Sequence, residues 1–331
     1  MRILKILLLL VAAALVGVAG VAWTWYRTPL TLPSAPYDFE VKSGTTLTAV
    51  ARALHDSGVL PHRLALVALA RYRGVDRAIK AGSYEIDTGI TLPLLLAKLT
   101  QGDVTQTAVT IVEGATFADM KRTLRDAPDV ANTVLDLPDA ELRAKLGIEE
   151  QSGEGLFFPD TYFFAKGAAD IALLKRARQA MADRLAAAWS TRTPDLPLAT
   201  PYEALILASI VEKETGRPAD RPLIASVFVN RLKRGMRLQT DPTVIYGIGE
   251  KFDGNLRKRD LEADTPYNTY TRDGLPPTPI ALPSQASIDA VTHPPASQYL
   301  YFVARGDGTS EFSASLADHN RAVSKYQKGG R

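Results

Sequence analysis

Residues 204–216 read ALILASIVEKETG. The run from Ala204 to Val211 is polar only at Ser209, which is the pattern of a helix buried on all sides, and Gly216 with Pro218 behind it supplies a stop. The chain therefore builds a core around a helix that ends in carboxylates. At about 100° per residue, Glu214 falls in line with Leu207, Ile210 and Val211 on the heavier apolar face, while Glu212 lies nearly opposite, near Ala208 and Ser209. A carboxylate over an apolar face, at the negative end of the helix dipole, is disfavoured as an anion, so its pKa rises. A raised carboxyl suits a general acid near neutral pH. Lys213 and Arg217 stand close by, and pairing with them would make both glutamates ordinary surface residues. On the residues alone both readings stand.

Upstream of this helix, short strands and helices alternate, an α+β pattern. In YDFEVKSGTTLTAVARALHDSGVL, residues 37–60, Phe39 and Val41 mark a strand and Ser43-Gly44 a turn. Thr45 or Thr46 then caps a helix with apolar face Leu47, Val50, Ala51 and Leu54. AGSYEIDTGITLPLLLAKLTQG, residues 81–102, repeats that grammar: strand Tyr84–Ile86, a turn at Gly89, and a helix from Pro93 toward Leu99 that ends near Gly102. VTIVEGATFADMKRTL, residues 109–124, is a third variation. These are similar local units without a fixed period. Residues 129–200 are mainly helical in pattern, interrupted by EGLFFPDTYFFAKG, residues 154–167. Pro159 keeps that run from being a simple amphipathic helix. Its rings Phe157, Phe158, Tyr162, Phe163 and Phe164 read either as core or as the wall of a glycan cleft.

A chain of 331 residues with 46% hydrophobic and 23% charged residues has material for roughly two or three folded units. A net charge of +3, spread along the chain, calls for no nucleic acid and allows only loose attraction to an anionic wall or membrane. The absence of cysteine excludes disulfides, a thiolate nucleophile and Cys-based metal sites. His55, His62, His293 and His319 are too scattered for a metal cage, and His293 and His319 read as structural. No metal or cofactor is expected, so the chemistry falls to carboxylates and hydroxyls.

From Ile6 to Tyr26 there is no charge, which is enough apolar helix to cross a bilayer, and Trp23, Trp25 and Tyr26 suit the membrane interface. Arg2 and Lys5 before the stretch, against Arg27 after it, put the N-terminus in the cytoplasm and the rest outside. A cleaved signal peptide is the competing reading, but the stretch is longer than a usual signal core and lacks a clear A-x-A site. The expected organisation is a cytoplasmic stub and transmembrane anchor at 1–27, a Pro- and Ser-rich linker at 28–36, a small α+β unit at 37–105, and a larger α+β domain at 106–331.

The strand, turn and helix at Val41–Leu54 resemble the opening of a LysM module, which binds glycans containing N-acetylglucosamine; a purely structural arm is the other reading. A longer resemblance rests on ASIVEKET, SVFVNRLKRGMRLQTDPTVIYG, DTPYNTYTRDGLPPTPI, His293-Pro294 and YLYFVARGDGTSEFSASLADHN, together with EGATFADM and FFPDTYFF. On these the chain resembles the YceG-like family, the MltG type of endolytic murein transglycosylase.

The resemblance implies a lyase anchored in the inner membrane that cleaves the MurNAc-β-1,4-GlcNAc bond of peptidoglycan glycan strands and leaves 1,6-anhydro ends. It makes Glu214, the second glutamate of the Glu-Lys-Glu triplet, the catalytic acid and base, and it implies membrane-bound peptidoglycan synthases as partners. Asn230, Gln239, Thr240, Asp241, Tyr246, Tyr267, Asn268 and Tyr270 are the expected substrate-binding residues, since amides, hydroxyls and rings suit sugars. Each also fits a turn or cap, Asp241-Pro242 and Asn268 especially. Two alternatives stay open: a non-catalytic peptidoglycan-binding scaffold, and a two-carboxylate glycosidase with Asp241 or Asp260 as partner to Glu214.

Overall fold

The computed structural model describes residues 23–42, 44–102 and 106–328, together with Leu10, Ala13, Val16, Gly17, Gly20 and Val21. The stretch expected to be the membrane anchor lies largely outside the described residues. Among those described, no helix is long and apolar enough to cross a membrane. The mixed helix and strand content is α+β, as expected, and the chain forms two compact units.

The first unit comprises residues 1–107 with 163–168. Its elements are β1 (Tyr37–Val41), α1 (Leu47–Asp56), α2 (Arg63–Tyr72), β2 (Gly82–Ile86) and α3 (Leu92–Gln101). β1 and β2 run antiparallel with Phe39 opposite Tyr84, and the two rings stack 5.5 Å apart. Thr46 is the residue that caps α1, its side chain accepting from Ala49 N, and Leu47, Val50, Ala51 and Leu54 form the buried face. α3 ends at Gly102, whose φ of 75° is the left-handed conformation that glycine adopts without a Cβ penalty. Residues 28–36, expected as a linker, are tied into this unit. Leu30 N donates to Ile90 O at 2.7 Å, and Leu30 and Leu32 pack on the core. Their two leucines gain more from burial than an extended tether would from solvent.

The chain continues through β3 (Gln106–Thr110), α4 (Phe117–Asp126), β4 (Val130–Ala131), α5 (Asp139–Leu146), β5 (Thr161–Ala165), β6 (Ala168–Ala169) and α6 (Asp170–Ser190). Then come α7 (Pro201–Glu214), α8 (Arg221–Lys233), α9 (Asp241–Ile248), α10 (Lys258–Glu262), α11 (Gln285–Thr292), β7 (Tyr301–Ala304), β8 (Ser310–Ser313) and α12 (Leu316–Val323). Residues 108–162 and 169–331 make the second unit.

Helix α7 is the axis of this unit and packs against α6, α8 and α11. Every residue from Ala204 to Val211 is buried, so its apolar run is a fully enclosed helix. Burying each large aliphatic side chain contributes about 1.5–3 kcal/mol, so a handful of them accounts for much of the local stability. Pro201 stands in the first turn, Thr200 caps it, and an extended Thr215 ends the helix one residue before Gly216. In the aromatic run, Phe157, Phe158, Tyr162 and Phe164 are buried and only Phe163 is exposed. Phe157 stacks on Phe117 at 5.2 Å, and the Arg184 guanidinium lies 4.0 Å from the Phe158 ring centre. The run is core, with β5 alternating its side chains in and out.

Candidate functional site

The two glutamates at the end of α7 have different surroundings. Glu212 is buried against Arg221 of α8 at 2.9 Å, and its Oε2 accepts from Ser284 N at 3.0 Å, Ser284 Oγ at 2.5 Å and Ser287 Oγ at 2.7 Å. With a counter-charge and three donors, it closes the joint between α7, α8 and α11. Lys213 turns the other way and donates to Gly114 O at 3.1 Å. The reading of these glutamates as loose surface residues paired with Lys213 therefore does not hold.

Glu214 sits over the apolar face that Leu207, Ile210 and Val211 define, and it takes a short hydrogen bond at Oε1 from Thr240 Oγ1. Burial pushes its carboxyl up to about 7. The Thr240 bond and the more remote Arg231 charge oppose that rise, while the neighbouring negative charge of Asp241 adds to it. A carboxyl that is half protonated at neutral pH can both give and take a proton.

Thr240 is delivered to Glu214 by a tight turn. Gln239 has a φ of 51°, a left-handed conformation costly for a residue with a side chain. It is held by Gln239 N donating to Thr269 O at 3.1 Å, and by Arg231. The buried Arg231 guanidinium donates to Leu300 O at 2.7 Å, Arg237 O at 3.1 Å, Leu238 O at 2.8 Å and Gln239 Oε1 at 3.3 Å. Thr240 N in turn donates to Thr269 Oγ1 at 3.0 Å. Thr240 is the N-cap of α9, yet its side chain makes no cap bond, because the hydroxyl serves Glu214 instead. Residue type and spacing alone do not single out Arg231. A cation inside the otherwise buried helix SVFVNRL was the available signal.

The expected substrate-binding residues separate into three groups. Thr240, Asp241 and Tyr270 gather around Glu214, with Gln239 next to Thr240 in the turn: burial, the hydrogen bond that Tyr270 OH donates to Asp241 Oδ1 at 2.6 Å, and the charges of Asp241 and Glu214 hold that phenol in its neutral form. Tyr246 lies further along α9 and meets Tyr267, from the loop after α10, edge to face, with ring centres 4.9 Å apart. Tyr246 OH donates to Glu154 Oε2 at 3.1 Å, and Tyr267 OH shares a hydrogen with Thr278 Oγ1 at 2.9 Å. Asn230 and Asn268 are used by the scaffold. Asn230 Nδ2 donates to Ser297 O and Tyr299 O, each at 3.0 Å. The fully buried Asn268 donates to Asp260 O, Leu261 O and Ala263 O and accepts from Tyr270 N at 2.8 Å, which leaves its amide nothing to offer a ligand.

The other acids weighed as a second carboxylate are occupied: Asp260 caps α10 by accepting from Arg257 N at 2.9 Å, and Asp241 holds Tyr270. A further buried acid, which no motif or spacing singles out, is Glu154, at the head of the aromatic run. It accepts from Phe117 N at 2.9 Å, and burial pushes its carboxyl up to about 7. His293 closes α11 by bonding Thr191 O at 2.8 Å, and His319 stacks on Tyr301 at 5.2 Å, so both are structural. No group of acids and histidines among the described residues has metal-binding spacing.

The sequence profile of the YceG-like family matches residues 39–325. An endolytic murein transglycosylase of Bacillus subtilis is 32% identical over 306 residues, covering 87% of this chain and 84% of that protein. The endolytic murein transglycosylase of Streptococcus pneumoniae strain D39 is 28% identical over 322 residues, which are 86% of this chain and 57% of that longer protein. A crystal structure of a YceG-like protein from Listeria monocytogenes aligns with a TM-score of 0.50 at 28% identity, covering 87% of this chain and 98% of that one.

Proposed function

The chain belongs to the YceG-like family, and from that premise we propose that it is an endolytic lytic transglycosylase of peptidoglycan, with Glu214 as its acid and base. The observation that carries the reading is the Glu214 carboxyl, raised to about 7 and gripped by Thr240.

Protonated Glu214 gives its proton to the oxygen between MurNAc and GlcNAc as the C1–O bond breaks. The resulting carboxylate then takes the proton of the MurNAc 6-hydroxyl while that oxygen closes on C1, which yields a 1,6-anhydro end. The substrate supplies its own nucleophile, so the second carboxylate that a retaining glycosidase keeps about 5 Å away is not needed. Thr240 serves the second half of the cycle by stabilising the carboxylate. Asp241 and Tyr270 border Glu214, Gln239 adjoins Thr240 in the same turn, and the three are suited to hold the sugar hydroxyls and N-acetyl groups.

The apolar stretch Ile6–Tyr26 supports attachment to the cytoplasmic membrane by a single N-terminal helix, with the enzyme outside, where its substrate lies. Membrane-bound glycan polymerases are natural neighbours for such an enzyme. The test is mass spectrometry of products from isolated glycan strands, wild type beside Glu214→Gln. Anhydro ends from the wild type and none from the variant are expected. Reducing MurNAc ends, or cleavage by Glu214→Gln at the wild-type rate, would sink the proposal.

A further inference from the structure

Glu154 is a buried carboxyl that the reaction above leaves without a role. It is 3% exposed and its two oxygens have separate partners, Phe117 N at 2.9 Å and Tyr246 OH at 3.1 Å. Its neighbour Gly155 has a φ of 78°, and a Cβ there would lie 2.4 Å from Pro279 Cβ, so this backbone is fixed against the Pro279 segment. Tyr246, in turn, lies on α9, the helix whose N-cap is Thr240. One end of α9 is therefore held to Glu214 by the Thr240 hydroxyl and the other to Glu154 by the Tyr246 phenol. On the face of α9 next to Tyr246 there is no slack, because a Cβ at Gly247 would meet Thr265 Oγ1 at 3.0 Å and Tyr267 Cβ at 3.2 Å. A movement of Tyr246 is consequently passed along a helix of eight residues to Thr240.

We propose that Glu154 is a positioning residue for the reaction: through Tyr246 it sets the seat of α9, and with it the Thr240 hydroxyl that bears on Glu214. The inference rests on the transglycosylase reading of Glu214. As a carboxylate, Glu154 accepts both hydrogens, and the phenol bond is charge-assisted, which makes it the firmer anchor. Once protonated it must donate its own hydrogen, and the grip on Tyr246 weakens. The groups that face it are Asp119 of α4, Tyr202 of α7 and Tyr246 of α9. Asp119 opposes its ionisation, the two phenols are themselves held neutral, and no cation is among the causes that shift it. Ionisation of Glu154 and protonation of Glu214 are then both required, and activity against pH is bell-shaped, with the acid limb belonging to Glu154 and the alkaline limb to Glu214.

The test measures kcat and KM of the full chain on isolated glycan strands from about pH 5 to about pH 9, which brackets both groups. Glu154→Gln, a neutral isostere, is expected to lower kcat about tenfold at neutral pH with KM nearly unchanged, to erase the acid limb, and to leave the alkaline limb in place. Tyr246→Phe, which removes only the linking hydroxyl, should reproduce the loss of kcat and of the acid limb, and it carries the test by itself should Glu154→Gln not fold. Wild-type kcat in both variants, or a loss of kcat with the acid limb intact, overturns the proposal in favour of a merely structural carboxyl. Failure of the underlying reading shows separately, as unimpaired cleavage by Glu214→Gln in the same assay.

Discussion

Thr240→Val removes one hydroxyl from the site and little else. The valine keeps the shape and the extended backbone of Thr240, and α9 loses no cap bond, because that hydroxyl caps nothing in its own helix. What disappears is the hydrogen bond that favours the ionised form of Glu214. A hydrogen bond to a charged group is worth about 1.5–3 kcal/mol, and one pKa unit is about 1.4 kcal/mol, so the bond corresponds to about one or two units. Glu214 remains partly open to solvent, which screens the effect and favours the lower end, about one unit. The direction follows from the causes: burial already raises this carboxyl to about 7, Thr240 works against the rise, and removing Thr240 raises it further. With Glu214 as the proposed acid, activity falls where it loses its proton, so the alkaline limb of kcat/KM moves about one unit to higher pH. Chromatographic rates of anhydro-product formation across pH read this directly. Asp241→Asn is the opposing control, since it removes a negative charge that disfavours ionisation and moves the limb down. A limb that stays in place or moves down in Thr240→Val would refute the role given to this hydroxyl.

Arg221→Met strips the counter-charge from buried Glu212 and should cost about 3–5 kcal/mol in urea unfolding, whereas Glu212→Gln/Arg221→Met should recover much of it; a single variant as stable as wild type contradicts the joint described. Asp170, whose carboxylate accepts from the Thr133 hydroxyl and from Thr133 N at 2.9 Å, Val134 N at 2.9 Å and Leu135 N at 3.0 Å, is held by these bonds below the usual carboxylate range despite its burial. Asp170→Asn should therefore lose about 2 kcal/mol at neutral pH, with the gap to wild type closing as pH falls below the ordinary carboxyl value; a gap constant with pH would refute the charge as its cause. Glu154 shows the opposite sign: its pKa is raised from 4.5 to about 7, so the folded state holds its proton longer than the unfolded chain. Stability then declines as pH rises through that window, by at most roughly 3 kcal/mol for this group, and thermal melting of Glu154→Gln should show a flatter profile than wild type.

What was legible in the sequence was local. The enclosure of α7 follows from eight consecutive small or apolar residues, and a threonine cap before α1 from Thr45-Thr46, of which Thr46 makes the bond. The separation of Glu214 from Glu212 follows from the angle between them. The partners of each glutamate were not legible, because they come from far along the chain: Ser284 is 72 residues from Glu212, and Tyr246 is 92 from Glu154. Residue type alone did not show which partners Asn230 and Asn268 take within the fold. An amide that suits an N-acetyl group suits a backbone carbonyl equally well, and only burial decides which it meets. The stretch at 28–36 looked like a tether because prolines break its periodicity, yet Leu30 and Leu32 still find a surface to cover.

The Glu212 joint has a consequence for timing. The end of α7 becomes a fixed object only when Ser284 and Ser287 have arrived, and the Gln239 turn only when Leu300 can receive Arg231. A chain delivered N-terminus first, whether from the ribosome or across a membrane, therefore carries Glu214 on an unfinished helix end until all but the last few dozen residues are through. For a protein with the proposed ability to cut a load-bearing polymer, such a delay would act as a safeguard written into chain order, keeping truncated or stalled molecules from cutting without any inhibitor.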